Sequence, residues 1–225
     1  MAENRAERIL TALRKTFTTP TWATSKRNPF ETLIMTVISQ NTADRNTARA
    51  FENLSNRFAI TPEVLARARP DQIEECLRVA GLFRSKAKTI GQLSRTVLNE
   101  FQGNLEKVLS LPLPEARSTF LGLPGVGPKT ADVVLLFSGG KPTIPVDTHV
   151  FRVSKRLGLA PEGGNYEAVR TSLQEAYCPE DYASVHLLLI LHGRKYCKAG
   201  VPRCKECPVN KLCPSRCKWD NCDCA

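Results

Sequence analysis

Four cysteines near the C-terminal end carry the most chemistry for their spacing. Cys197, Cys204, Cys207 and Cys213 follow one another as C-x6-C-x2-C-x5-C. Thiolates gathered on one short loop suit a soft metal, either a [4Fe–4S] cluster or a tetrahedral zinc, and the spacing alone does not choose between them. Eight of the nine cysteines lie from Cys178 onward, and their number is odd. The opening Met1-Ala2-Glu3-Asn4-Arg5 carries an acid and no apolar stretch of the kind a secretory signal needs. Both facts argue for metal ligation rather than a disulfide framework, and for a cytoplasmic chain. Beyond Cys213 come Cys217, Cys222 and Cys224, with Asp220 and Asp223 among them. These read as reduced thiols on a loosely held tail, with a second soft-metal site as the alternative.

A second constellation lies upstream, in Leu123-Pro124-Gly125-Val126-Gly127-Pro128-Lys129-Thr130. Two glycines around one apolar residue predict a tight hairpin, and Pro128 is suited to the first position of a following helix. Backbone N–H groups left uncovered by glycine, beside a helix N-terminus, can donate to a phosphate oxygen. Such contacts hold a nucleic-acid backbone and carry no base information. Lys129 then falls in the first turn of the helix, where the macrodipole and partial burial favour a neutral amine. A neutral amine is what a Schiff-base nucleophile needs. Asp147, in Val146-Asp147-Thr148-His149-Val150, stands where a helix N-cap is expected. Its carboxylate could also take a proton or stabilise developing positive charge.

The elements that must position these groups read as helices. Ile9, Leu10, Leu13 and Phe17 form one face of a segment over 3–17, and an apolar helix opens at Pro29 and runs through Ile38. Ala48, Phe51, Leu54 and Phe58 give a stripe over 43–58. Thr61-Pro62-Glu63 reads as a cap, a first-turn proline and a first-turn acid. Helical patterns continue over 71–79 and 84–101, interrupted at Gly81, and then over 114–121, from Pro128, from Asp147, over 165–177 and over 181–196. Alternating β-branched runs are nearly absent, so the fold class is all-α. The 225 residues allow one large domain or two small ones. No apolar run approaches the length that spans a bilayer; the richest, 187–191, is bounded by His186 and His192. Lys and Arg number 32 against 22 Asp and Glu, a formal net charge of +10, which points to a polyanionic partner.

Taken together, the hairpin with Lys129, the Val-Asp-Thr-His segment 18 residues on, the stretch Leu187 to Arg194 and the four-cysteine loop resemble the endonuclease III family. These are bifunctional DNA glycosylases of the helix-hairpin-helix superfamily. The resemblance covers about Pro29 to Pro214. It implies two helical domains flanking a DNA-binding cleft: a six-helix domain over 22–141, and a cluster domain formed by 1–21 with 142–214, leaving 215–225 as a Cys-rich tail. It implies a [4Fe–4S] cluster on Cys197, Cys204, Cys207 and Cys213. It also implies a monomer, nucleoid-associated, acting on duplex DNA that contains damaged bases or abasic sites. Lys129 matches the catalytic lysine, which attacks C1′ of a flipped nucleotide, and Asp147 the catalytic aspartate. Oxidised pyrimidines are the implied substrates, with β-elimination following base loss.

Other positions carry over from the same resemblance. Leu123, Gly125, Val126 and Gly127 form the phosphate-binding hairpin. Leu82, in Gly81-Leu82-Phe83-Arg84-Ser85-Lys86, matches the leucine that wedges into the duplex. Gln40 and Asn41 share the segment whose polar side chain fills the flipped base's place; an ungapped match favours Asn41, and the choice stays open. Asp44 and His149 match pocket-side positions. Lys198, Arg203 and Lys205 are phosphate contacts. Adenine- and thymine-mismatch glycosylases of the superfamily share the hairpin and aspartate but have no lysine at the position of Lys129. A non-catalytic DNA-binding protein with a structural metal would not need Lys129 and Asp147 together.

Overall fold

The computed structural model describes residues 4–19 and 27–218, and their regular structure is helical throughout, with no strand among them. Cys222, Cys224, Asp220 and Asp223 lie outside the described residues, as does the side chain of Cys217. The chain divides into two compact units, one over Lys26–Lys141, the other joining Met1–Ser25 to Pro142–Ala225.

In the first unit, helix α2 (Pro29–Ser39) begins where Asn28 accepts from the backbone N–H groups of Phe30 and Glu31 and Pro29 opens the first turn. Phe30, Leu33, Ile34, Val37 and Ile38 are all buried, so this helix is a core element rather than a surface one. Each such side chain contributes about 1.5–3 kcal/mol by leaving water. Helix α3 (Asp44–Arg57) turns Thr47, Ala50 and Leu54 inward. Ala48, expected in that stripe, is exposed, because the buried face follows the spacing 47, 50, 54 and leaves position 48 on the far side.

Helix α4 (Pro62–Arg67) has the expected Thr61 cap, whose side chain accepts from the Val64 N–H. Helix α5 (Pro70–Leu77) tightens into a 3-10 turn over Arg78–Ala80 and stops at Gly81, whose φ of 61° is left-handed. Helix α6 (Phe83–Phe101) follows and packs against α4, α5 and α2. A five-residue helix, α7 (Glu106–Ser110), was not legible from pattern. Helices α8 (Leu113–Leu121) and α9 (Pro128–Phe137) form the arms of the glycine hairpin. Ala116, Phe120, Leu123, Val126, Ala131, Val134 and Leu135 from this hairpin join the core formed by α2, α3 and α6.

In the second unit, helix α1 (Arg5–Thr16) starts with a reciprocal capping box between Asn4 and Glu7. Helices α10 (Thr148–Arg156), α11 (Tyr166–Ala176) and α12 (Tyr182–Lys195) complete it, with α12 packed on both α1 and α10. The Arg5 guanidinium explains how the two ends of the chain belong together. It donates to the carbonyls of Leu157 at 2.6 Å, Gly158 at 2.6 Å and Leu212 at 3.2 Å, capping α10 and gripping the cysteine loop at once. Among the described residues no helix is long and apolar enough to cross a membrane.

Candidate functional site

The glycine hairpin is held from beneath and open above. Leu123 and Val126 are buried, so their side chains anchor the turn. The Val126 N–H closes the turn on the Leu123 carbonyl at 3.1 Å. Gly125 needs its identity twice over. Its φ is +75°, and an added Cβ would lie 2.3 Å from Cγ2 of Thr89. At Gly127 nothing lies within 4 Å of the position a Cβ would occupy. Both glycines are exposed, and their N–H groups have no acceptor among the described residues. At the start of a ten-residue helix, such exposed donors are groups that an anion could accept from.

Lys129 is half-buried in the first turn of that helix. One turn further on, Asp132 is fully buried and paired with Arg117 of α8, with Nε–Oδ1 at 2.9 Å and Nη2–Oδ2 at 3.2 Å. This two-pronged pair ties the hairpin arms together and fixes the helix that carries Lys129. Nothing in the pattern announced it, because an Arg and an Asp 15 residues apart on two short helices look like surface charges.

Asp147 is the N-cap of α10: its Oδ1 accepts from the Val150 N–H at 2.7 Å. Oδ2 accepts no hydrogen bond among the described residues, so the cap leaves one oxygen for other work. The extended stretch before it is buried from Thr143 to Val146. Two side chains hold that stretch. The Val146 N–H donates to the Tyr166 hydroxyl at 3.2 Å, and buried His186 donates from Nδ1 to the Pro145 carbonyl at 2.8 Å. His149 accepts from Arg152 Nη2 at its Nδ1, at 3.1 Å, so its Nε2 carries the proton. Gly193 lets α12 approach, since a Cβ there would lie 3.1 Å from the His149 side chain.

Leu82 is 63% exposed and left-handed at φ 47°. Asn41 is also exposed and left-handed, at φ 52°. Its neighbour Gln40 is engaged instead, donating from Nε2 to the Gly125 carbonyl at 3.3 Å. Asp44 is exposed in the first turn of α3.

Cys197, Cys204, Cys207 and Cys213 line one cavity together with Arg156, His192, Tyr196 and Asn210. The loop is drawn around them by short bonds rather than long helices. The Arg203 N–H donates to the Tyr196 carbonyl at 2.8 Å, and the Asn210 amide donates to the Cys204 carbonyl at 2.7 Å. Arg156 donates to the carbonyls of Lys198 at 2.6 Å and Ala199 at 3.1 Å, and Arg152 to that of Cys197 at 3.0 Å. Burial, and then the charges of the three neighbouring thiols, pushes the Cys207 thiol up to about 12; burial likewise raises Cys213. Thiols such as Cys207 and Cys213, which burial makes harder to ionise, fit a positively charged metal centre, which would compensate the thiolates. Among the described residues no three His, Cys, Asp or Glu are arranged to hold a single metal ion. Buried His192 lies 3.8 Å from Cys207 through Nε2, and its Nδ1 has no partner among the described residues. Lys198 and Lys205 are exposed, and Arg203, also exposed, is paired with Glu206 at 2.8 Å.

Comparison with known proteins agrees with the geometry. Residues 34–179 match the family model described as HhH-GPD superfamily base excision DNA repair protein. Endonuclease III of Escherichia coli is 37% identical over 219 residues, covering 96% of this chain and 99% of that one. Endonuclease III of Bacillus subtilis is 36% identical over 186 residues, covering 83% and 81%. A solved structure of a trapped endonuclease III–DNA covalent intermediate, an estranged-adenine complex, superposes with a TM-score of 0.81 at 33% identity over 95% of this chain and 97% of that one. A thermostable thymine-DNA glycosylase, at 22% identity and a TM-score of 0.72, shares the fold. With its glycine hairpin, its capping aspartate and its four-cysteine loop, the chain belongs to the HhH-GPD superfamily of base excision DNA repair proteins, within the endonuclease III group.

Proposed function

We propose that this chain removes oxidised pyrimidines from duplex DNA and then cuts the strand at the resulting abasic site, using Lys129 as nucleophile. The observation that carries the proposal is the hairpin. It presents two exposed glycine N–H groups without acceptors among the described residues and, two residues after Gly127, a half-buried lysine in the first turn of α9. Phosphate held on those donors would bring the sugar of a flipped nucleotide to an amine that α9 holds in place. Saturated or fragmented pyrimidine rings stack poorly, so they cost less to flip.

In the chemical step Lys129 Nζ bonds to C1′, and the bond from C1′ to the base breaks. The base leaves with the electron pair and takes up a proton. Opening of the sugar ring, with a proton to O4′, leaves an iminium between Nζ and C1′. The iminium acidifies the C2′ hydrogen; its loss expels the 3′ phosphate, nicking the strand, and water then releases the lysine. Asp147 supplies the carboxylate. Its Oδ1 stays on the helix cap, while Oδ2 takes the lysine proton or offsets positive charge on the sugar. Asn41, exposed and left-handed where Gln40 is engaged with the hairpin, is the residue placed to fill the flipped base's gap, and Leu82 is the wedge. Lys198 and Lys205 are phosphate contacts, with Arg203 a weaker one because Glu206 competes for it.

Cys197, Cys204, Cys207 and Cys213 would hold a [4Fe–4S] cluster, which when bound supplies the cross-link that the cysteine loop lacks in helices. Arg5, Arg152 and Arg156 orient the loop through its carbonyls whether or not thiolate charge is present.

Incubation with a duplex carrying one oxidised pyrimidine is expected to release the free base and leave an unsaturated aldehyde on the 3′ end. Lys129→Gln is expected to leave the strand intact. Base release with no strand cut by the wild type would show a glycosylase without the lyase step.

A further inference from the structure

Two surface segments of the Lys26–Lys141 unit, around Thr42 and Ala80, are joined by hydrogen bonds to one lysine of helix α6. Lys86, in the first turn of α6, is only 4% exposed. Its ammonium donates to the Thr42 hydroxyl oxygen at 2.5 Å and to the Ala80 carbonyl at 2.7 Å. The Thr42 hydroxyl itself bonds to the same Ala80 carbonyl. Three residues along α6, Thr89 lies under Gly125 of the hairpin, and Gln40 reaches the Gly125 carbonyl from the other direction.

Burying an ammonium is costly unless it is well bonded, and here its partners are a hydroxyl and a carbonyl rather than a carboxylate. Burial accordingly lowers the pKa of Lys86. A methionine would fill the same volume without that cost, so stability alone does not account for the lysine. What it joins does. Thr42 follows Asn41 and Ala80 lies two residues before Leu82, and both Asn41 and Leu82 adopt the left-handed backbone at φ 52° and 47°. For residues other than glycine that conformation costs about 1–2 kcal/mol, and it persists only where the surroundings over-determine it.

We propose that Lys86 is a positioning residue that locks the Asn41 and Leu82 segments together, so that gap filling and wedging act as one preorganised unit when a base is flipped. This rests on the roles assigned to Asn41 and Leu82 above. Loops fixed before DNA arrives spare the complex the entropy of ordering them, so the gain appears in the flipping step. Thr42 is the second half of the lock.

The test is a double-mutant cycle on the single-turnover rate of base excision from duplex DNA. Lys86→Met is expected to slow excision about tenfold, and less than about twofold once Leu82→Ala is present, because both changes disable the same unit. A merely structural loss would multiply through both backgrounds. Thr42→Val should behave as Lys86→Met does, while Thr42→Ser, which keeps the hydroxyl, should retain the wild-type rate. That pair decides the matter if Lys86→Met fails to fold. Multiplicative effects, a wild-type rate in Thr42→Val, or a Leu82→Ala protein as fast as wild type would each overturn the proposal. A wild type inactive on the duplex would overturn the proposed function as well, which distinguishes the two failures.

Discussion

The hairpin and the cysteine loop each hold functional groups on a short turn, but they are made rigid by different physics. The hairpin borrows rigidity from its neighbours: Leu123 and Val126 sit in the core, Thr89 supports Gly125, and Arg117–Asp132 clamps the two arms. Among the described residues the cysteine loop has only three-residue 3-10 turns and a set of arginine-to-carbonyl bonds, wrapped around cysteines of which Cys207 and Cys213 are made harder to ionise by burial. A turn anchored in a core is complete as protein. A turn built around four cysteines is the one that the proposed cluster would complete.

Removing that centre should therefore separate the two regions most. Replacing Cys207 with alanine is expected to abolish bound iron and to raise amide exchange across 197–216 by orders of magnitude. The hydrogen-bonded amides of the hairpin arms, α8 and α9, should exchange as in the unmodified protein in the same sample. Hydrogen exchange read by mass spectrometry reports both segments at once, and equal loss in both would erase the distinction.

On the hairpin side the largest effect should come from the clamp. Arg117→Ala removes the two hydrogen bonds from its guanidinium to the fully buried Asp132 carboxylate, and is expected to cost about 3–5 kcal/mol, read as a lowered thermal or denaturant midpoint. Breaking the exposed Arg203–Glu206 pair should cost less than about 1 kcal/mol by the same measurement.

The two hairpin glycines should then part company. Gly125→Ala meets both a left-handed φ and Thr89, so stability falls by more than about 1 kcal/mol. Gly127→Ala has open space and an ordinary extended backbone, so stability holds while DNA affinity falls, because the new methyl lies beside the phosphate donors. Parallel melting and DNA-binding curves distinguish them.

The smallest effect belongs to the surface of the cysteine loop. Lys198→Ala is expected to reduce the slope of log affinity against log salt by about 0.9, with melting unchanged.

Much of this was legible in the sequence because local chemistry is written locally. Pro29 opens its helix, and Thr61 and Asp147 act as the caps their types and positions suggest. The glycine hairpin and its proline-initiated helix also lie where the residues placed them. What escaped depends on partners far along the chain. Helix α7 is too short to show a period. Ala48 was assigned to the buried face of α3 because alanine suits either side, whereas Thr47 takes that place. Lys86 reads as a solvated lysine until Thr42, 44 residues away, and Ala80 are seen around its ammonium. Asp132 likewise hides its role until Arg117 folds against it. Between Gln40 and Asn41 an ungapped match favours Asn41 without deciding; in the structure Gln40 donates to the Gly125 carbonyl and Asn41 takes a left-handed backbone, features that depend on the folded hairpin.

The central claim is that Lys129 forms a covalent bond to the sugar during the reaction. Borohydride added while the protein acts on a duplex with one oxidised pyrimidine reduces the iminium to a stable amine. The account predicts a permanent protein–DNA adduct for the wild type, with the DNA fragment mapped to Lys129 by mass spectrometry, and none for Lys129→Gln. Equal trapping by both proteins, or no adduct from a wild type that still releases the base, would contradict it.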